Sequence, residues 1–528
     1  MNFNPSTIFE EYKAGTQFKT TLGNKGVFEQ TKINERFFIG DQWHGAKCGT
    51  ERPLVRHNII KRIGDYKMSQ ILSDNLTVNF SADGIPTADS KDYSYDEQGT
   101  LNEQEISAVM QVFSDYYDVT AERVNLDALN LCALRNAYIS GSSLLYTYWD
   151  SSIDTGLFAD NEKTAKVKGD IRCEVLKIED VVFGDPYCEN LQDQPYIIIS
   201  SRRKLENVTA EARLHGADLA TLTNIEQSAT DGKITVFTKF YKKYNQDGSV
   251  FVAAAKVTEN AIVRKEFSTG LRLYPLALLN WETRNNCIYG ESEITYLIPN
   301  QIAINRMITA NVWSAMTSGM PIMLVNGDTV TEKITNDPGQ IIKIYGSNED
   351  VSGAVKYITP ATFSREFDES INILINNTLT QSGANEVALG DSRADNATAL
   401  ATMRNAALLP LQIVKKKYYN FLEEVARIWT DFWITHYGKR RIKQEKNGVC
   451  SYIPFDGARY LPLIISTKIG ITNALSFNPK EQLETLFSLF DKGIITKAEL
   501  LERIPEGMVP NIKKIDFKET EVSENDGI

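Results

Sequence analysis

Two acidic side chains in one polar loop come closest to a metal-binding pattern in this sequence. Asp391 and Asp395 lie in the segment GDSRADN, and a pair of carboxylates could hold the Mg²⁺ ion of a DNA-cleaving enzyme. No third acidic residue stands nearby at helical or strand spacing. The favoured interpretation is a solvated loop whose Asn396 caps the following helix. We therefore expect no metal, no cofactor, no catalytic residue and no enzymatic activity.

Motifs for nucleotide binding, serine hydrolysis and zinc proteolysis are missing from the sequence: it has no GxxxxGK[ST], no GxGxxG after a strand, no GxSxG and no HExxH. Four widely spaced histidines are interpreted as structural or surface residues: His44, His57, His215 and His436. Six cysteines without a CxxC pair predict reduced thiols rather than disulfides or a zinc site: Cys48, Cys132, Cys173, Cys188, Cys287 and Cys450.

Three consecutive lysines, Lys415, Lys416 and Lys417, could contact a phosphate backbone. They could equally form the solvated side of an amphipathic helix, which is the favoured interpretation. The apolar side of that helix holds Leu411, Val414, Tyr418, Leu422 and Val425. Four aromatic residues follow and indicate a core or a subunit interface rather than a base-stacking platform: Trp429, Phe432, Trp433 and Tyr437.

Composition is that of a globular protein with two to four domains: the chain has 528 residues, of which 42% are hydrophobic and 24% charged. The formal net charge of −11 argues against a basic surface that grips nucleic acid through its phosphates. The N-terminus lacks a signal-peptide pattern, and no window of about 18 uncharged apolar residues occurs. We expect a cytosolic protein without a membrane anchor.

The spacing of apolar residues predicts one long helix, from about Ser292 to Thr317. It would span about 35 to 40 Å. Its apolar stripe comprises Ile294, Ile298, Ile302, Ile308, Val312 and Met316. Asn305 interrupts that stripe, and Ser318-Gly319 ends the helix. A stripe of this length needs a partner surface.

The other elements form a definite order along the chain. A mixed α and β region is followed by a β-dominated region from about 170 to 280, with a hairpin at Asp247-Gly248. After the long helix come a strand-and-turn insert, a second helix and a polar loop. Another helix then runs to about Tyr437, bent at Pro410. Strands and two short helices end the chain.

This order of parts resembles the portal proteins of tailed double-stranded-DNA phages, in particular the Bacillus-phage type. NERFFIGDQWHG (34–45) looks like the family's early aromatic segment, and VLKIEDVVFGDPYCENLQDQPYIIISSRR like its wing strands. GESEITYLIPNQIAINRM looks like the start of its stem helix, and NATALATMRNAALLPLQIVKKKYYNFLEEV like the helix after its tunnel loop. LFSLFDKGIITKAELLERIP looks like its C-terminal helical pair.

The resemblance implies an α+β portal fold with a mixed α/β wing, long stem helices, a small clip and a short helical crown. Its parts would be the N-terminal wing (1–291), stem helix 1 (292–319), clip (320–363), stem helix 2 (364–384), tunnel loop (385–396), long kinked helix (397–437), C-terminal wing strands (438–470) and short crown with an acidic tail (471–528).

The resemblance also implies a function: a ring of twelve at one capsid vertex of the virion, through which double-stranded DNA is packaged and ejected. Implied partners are the terminase large subunit, the major capsid and scaffolding proteins and a head-tail adaptor, with no membrane. Ile298, Ile302 and Val312 would lie in the subunit interface of the stem. The tunnel loop would line the channel without reading bases, through Glu386, Asp391, Arg393, Asp395 and Asn396.

Two alternatives remain at this point. The protein could be a metal-dependent DNA-processing enzyme of the packaging apparatus, which the missing nucleotide-binding motif disfavours. It could instead be another ring-forming head-tail structural protein. Proteins of that kind are commonly much smaller than 528 residues.

Overall fold

A computed structural model describes most of the chain. The described residues are 4–45, 53–82, 103–158, 166–246, 248–318, 322–326, 328, 330, 355–358, 365–384, 408–446, 449–460, 465–472, 486–493, 496 and 500. The chain divides into two compact units, one of residues 1–72 and 78–469 and one of residues 73–77 and 470–528. In the second unit, the residues from 486 to 491 are helical.

Ten α-helices of at least nine residues occur in the described ranges. They are α1 (Pro5–Thr21), α2 (Gly26–Ile39), α3 (Ile59–Leu72), α4 (Glu103–Val124), α5 (Leu126–Ser140), α6 (Leu205–Leu214), α7 (Leu219–Gln227), α8 (Glu293–Ser318), α9 (Arg365–Gln381) and α10 (Gln412–His436).

Sixteen strands occur in the same ranges. They are β1 (Asn75–Ala82), β2 (Ser142–Phe158), β3 (Lys166–Lys177), β4 (Val181–Phe183), β5 (Tyr196–Lys204), β6 (Lys233–Tyr244), β7 (Val250–Val257), β8 (Ile262–Ser268), β9 (Leu276–Asn280), β10 (Glu282–Arg284), β11 (Cys287–Glu291), β12 (Ile322–Val325), β13 (Val355–Ile358), β14 (Lys439–Lys446), β15 (Val449–Asp456) and β16 (Ile465–Thr472).

The two largest sheets are antiparallel and share one core. The first has strand order β3-β2-β9, and the second has order β4-β5-β6-β7-β8. Leu144 of β2 and Leu276 of β9 pack in one buried cluster with Phe183 of β4, Ile197 of β5 and Val252 of β7. Alternating apolar residues of both sheets form this cluster, so the sheets stabilise one another by removing apolar area from water.

Helix α10 contributes buried aromatic side chains to the core of the first unit. Trp429 and Trp433 are completely buried. Phe113 of α4 stacks on Trp433 with ring centroids 5.7 Å apart, and Tyr117 lies 5.1 Å from Trp429. The expectation of a core role for these aromatic residues is confirmed. Pro410 lies in a short 3₁₀ segment, Leu409–Leu411, directly before α10.

Mixed helix and strand content, the coarse fold class expected from the sequence, is confirmed. The predicted long helix corresponds to α8, which starts and ends one residue later than expected, and the returning helix corresponds to α9. The predicted hairpin corresponds to β6 and β7. Two helices, α6 and α7, lie within the region interpreted as β-dominated.

Candidate functional site

The long helix α8 begins at a fixed point inside the first unit. The hydroxyl of Ser292 donates a hydrogen bond to the carbonyl of Tyr138 (2.6 Å) and accepts one from the backbone N–H of Ile294 (3.1 Å). Ser292 thereby caps the helix. An acidic residue in the first turn, Glu293, is favourable at the positive end of the helix dipole.

Glu293 is also a buried anchor for α8. One carboxylate oxygen accepts a hydrogen bond from Lys67 Nζ (2.6 Å), and the other accepts one from Trp281 Nε1 (3.0 Å). Trp281 is buried and the Lys67 side chain is only 13% exposed. The ion pair is therefore shielded from solvent and joins α8 to α3.

A row of polar side chains on α8 holds an extended segment of backbone, residues 55–58, together with Ile59, the first residue of α3. The Gln301 side chain accepts a hydrogen bond from the N–H of Ile59 (3.0 Å), and its amide donates to the carbonyl of His57 (2.6 Å). Asn305 accepts from the N–H of His57 (3.0 Å), and Thr309 accepts from that of Val55 (3.2 Å). The spacing of four residues keeps these three side chains on one face of the helix.

Asn305 therefore interrupts the apolar stripe for a structural reason. It is buried, and its amide donates to the side-chain oxygen of Gln42 (2.5 Å). Asn34 donates to the hydroxyl of Thr295 (3.3 Å), also on α8. Asn34 and Gln42 both belong to the segment NERFFIGDQWHG, so this segment contacts the long helix directly. Polar residues four apart on an apolar helix were the available sequence signal for this contact.

Helices α8 and α9 form an antiparallel pair. Asn300 donates to the hydroxyl of Thr378 (3.2 Å), and Asn311 donates to Asp368 Oδ1 (2.6 Å). Residue number rises along α8 while it falls along α9, which fixes their opposite directions. Beyond them, β12 pairs antiparallel with β13. The rest of the predicted clip, 320–363, lies almost wholly outside the described residues.

The three predicted interface residues of α8, Ile298, Ile302 and Val312, are half-buried within the single chain. Ile294, at the start of the stripe, is completely buried, whereas Met316 near its end is 48% exposed. Large apolar side chains are exposed on α8, on α9 and on β12: Tyr296, Met316, Ile373, Leu324 and Val325. This set of side chains, here called the stem apolar surface, is exposed to solvent in one isolated chain.

All five predicted tunnel-loop residues, Glu386, Asp391, Arg393, Asp395 and Asn396, lie outside the described residues. Description of the chain ends at residue 384 and resumes at residue 408, and Gly383 lies near Pro410. A Cβ atom added at Gly383 would lie 3.3 Å from Cβ of Pro410. Gly383 has a φ of +76°, and the N–H of Ala384 donates to the carbonyl of Leu379 (3.0 Å), which ends α9.

The expectation that Lys415, Lys416 and Lys417 form a solvated face is wrong for two of the three. Lys416 is exposed, but Lys415 is buried, and Lys417 is half-buried and donates to the carbonyl of Trp281 (3.0 Å). Burial lowers the pKa of Lys417, and Glu282 opposes this effect. The burial of Lys415 and the hydrogen bond of Lys417 show that these two side chains contact the protein itself instead of forming a solvated face.

A buried ionic cluster that the sequence did not reveal joins α4, β3 and β14. Asp170 binds Arg123 and accepts a hydrogen bond from the hydroxyl of Tyr437 (2.6 Å). The guanidinium of Arg440 lies 3.8 Å from the ring centroid of Tyr437 and donates to that residue's carbonyl (2.9 Å). Burial raises the pKa of Tyr437 well above its ordinary value. No local pattern marks these residues, because they are far apart in sequence.

Within the described ranges, no group of three or more His, Cys, Asp or Glu side chains could hold a metal ion. Among the helices formed by those residues, none is long and apolar enough to cross a membrane. Comparison of the sequence with known family models and with curated proteins finds no match.

Proposed function

We propose that the protein is a portal protein of a tailed phage, which forms a ring at one capsid vertex and conducts double-stranded DNA during packaging and ejection. The observation that carries the proposal is the long α8–α9 pair with its stem apolar surface. At 1.5 Å per residue the 26 residues of α8 extend about 39 Å. A soluble chain that exposes apolar residues along such a pair gains stability by covering them with another chain.

Ring formation would cover these residues by a heterologous contact, in which one face of each chain meets a different face of the next. The anchoring of α8 through Glu293, Gln301 and Asn305 supports this proposal, because a rigid helix holds a defined angle between neighbouring chains. Twelve copies would carry about −132 formal charge, from −11 each. DNA of the same sign would adhere weakly to such a particle and could slide through it.

The proposed partners follow from the ring. The clip, 320–363, would dock the terminase large subunit and the head-tail adaptor. The wing would meet capsid and scaffolding proteins, and the tunnel loop, 385–396, would guide DNA without base recognition. The proposed locations are the capsid vertex of the virion and, during assembly, the host cytoplasm.

Electron micrographs of the purified protein, averaged down the particle axis, test this function. We expect rings with a central channel, and a mass by native mass spectrometry of about 713 kDa, twelve times 59.4 kDa. A chain that stays monomeric at micromolar concentration, with and without scaffolding protein, would contradict the proposal. DNA cleavage or ATP hydrolysis by the pure chain would favour an enzyme of the packaging apparatus instead.

A further inference from the structure

A cleft of about 710 Å³ lies between the two large sheets, beside α6 and the end of α10. Aromatic rings line one of its sides. Tyr146 and Tyr148 stack with ring centroids 5.4 Å apart and an interplanar angle of 27°. Trp149 stacks on His436 at 5.1 Å. A cavity of this size is in the range that holds a small ligand, about 300 to 1,000 Å³.

The charged residues that line the cleft are mostly basic. They are Arg203, Lys204, Lys256 and Arg264, against Glu174 and Glu211. Their formal sum is +2, from four positive and two negative charges, whereas the whole chain carries −11. A local surplus of positive charge inside a concave site favours an anionic ligand.

One carboxylate in the cleft, that of Glu211, faces three cations. It pairs with Lys256 and lies 3.9 Å from Arg203. Burial lowers the pKa of Arg264, and Glu211 opposes the effect. The guanidinium of Arg264 lies 3.4 Å from the ring centroid of Phe267, a cation–π contact. The cluster therefore has more positive charge than Glu211 can balance.

We propose that this cleft binds an anion that carries a planar ring, either a free nucleotide or the phosphorylated end of a single DNA strand. Guanidinium and ammonium groups form charge-assisted hydrogen bonds with phosphate oxygens, and tyrosine rings stack on any base regardless of its identity. The phosphate would contact Arg264 and Lys256, and the base would lie against Tyr148. The site lies within one chain, so it does not depend on the proposed ring.

Isothermal titration calorimetry of the full-length protein at low salt tests the proposal. The probes are AMP, adenosine, a ten-nucleotide oligo(dT) with a 5′-phosphate, and a peptide of eight glutamates. The variant Arg264→Gln removes a lining cation, and Lys265→Gln is its matched control, because Lys265 is exposed on the same strand and does not line the cleft. Tyr148→Leu tests stacking, and circular dichroism confirms that each variant folds.

We expect AMP to bind at least tenfold more tightly than adenosine. Arg264→Gln and Tyr148→Leu should each weaken AMP binding at least tenfold, whereas Lys265→Gln should change it less than twofold. If oligo(dT) binds at least tenfold more tightly than AMP, the ligand is a DNA strand end. If the two affinities differ by less than tenfold, or if AMP binds more tightly, the ligand is a free nucleotide. The proposal is overturned if neither AMP nor oligo(dT) binds saturably, or if the glutamate peptide binds as tightly as AMP. It is also overturned if Arg264→Gln and Lys265→Gln change the affinity for AMP by the same factor.

Discussion

Lys19 is a cation held inside the protein by backbone carbonyl groups. It is completely buried, and its Nζ donates to the carbonyls of Ile178 (3.0 Å), Glu179 (2.6 Å) and Val181 (3.0 Å). Burial lowers its pKa to about 8, while Glu179 and Asp180 act in the opposite direction. The sequence could not reveal this role, because the acceptors lie about 160 residues away from the lysine.

Replacing this lysine by an apolar residue of similar length should destabilise the first unit. Lys19→Met removes the ammonium and leaves three buried carbonyls without their donor, which should lower the free energy of unfolding by about 3 kcal/mol. The measurement is urea unfolding followed by circular dichroism at pH 7. Lys13→Met is the control, since Lys13 is exposed on the same helix. Equal stability of the two variants would show that Lys19 does not anchor α1.

The lowered pKa of Lys19 also predicts a dependence of stability on pH. Between pH 8 and 10.5 the unfolded chain binds more protons at this residue than the folded chain does, so its contribution to stability rises with pH. The full change is about 3 kcal/mol, from 1.36 kcal/mol per pKa unit. Comparing wild type with Lys19→Met at pH 7.5 and 9.5 cancels the other titrating groups. A difference that stays constant would contradict the prediction.

At the scale of elements, the position of α8 could be predicted from its periodicity, but its attachment could not. The apolar stripe and the Ser-Gly stop locate the helix to within one residue at each end. The buried face, however, also contains Gln301 and Asn305, whose partners are backbone groups of a distant extended segment. Periodicity shows that a face is buried, whereas hydrogen bonds to remote backbone depend on the tertiary fold.

The ion pair between Glu293 and Lys67 should contribute more to the free energy of unfolding than an exposed acidic residue in the first turn of another helix does. Glu293→Gln removes the charge that Lys67 neutralises and should cost about 3 kcal/mol of unfolding free energy. Glu366→Gln is the matched control, because Glu366 occupies the first turn of α9 but is exposed. Both variants weaken the helix-dipole interaction, so only the excess loss in Glu293→Gln reports the buried pair. Equal losses would show that the pair adds nothing.

The hydrogen bonds from α8 to the extended segment should protect specific amides from exchange. Asn305→Leu removes the acceptor for the N–H of His57, and we expect that amide to exchange with deuterium at least tenfold faster. Asn300→Leu is the control, since Asn300 faces α9 instead. Hydrogen exchange measured by mass spectrometry resolves the two regions. Unchanged exchange at His57 in Asn305→Leu would mean that this side chain does not hold the segment.

At the scale of the whole molecule, the success of prediction depends on how far apart in sequence the contacting residues lie. Local patterns located α8, α9 and the hairpin of β6 and β7, because capping, turn residues and alternation act over a few residues. Packing partners were predicted less well: Lys415 is buried and Lys417 is half-buried, although three consecutive lysines favour a solvated face. The ring interface is a contact between chains, which the structure of one chain does not contain. It therefore stays a prediction.

The ring should be sensitive to charge placed on the half-buried face of α8. Ile302→Asp puts a carboxylate where the proposed interface excludes water, and burying an unpaired charge costs several kcal/mol for each contact. Leu214→Asp is the matched control, because Leu214 is 81% exposed on α6, outside the stem apolar surface. Native mass spectrometry should show rings for wild type and Leu214→Asp, and single chains for Ile302→Asp. Circular dichroism must first show that Ile302→Asp remains folded, since Ile302 is half-buried in its own chain. A folded Ile302→Asp chain that assembles as well as wild type would place the subunit contact elsewhere than on this face of α8.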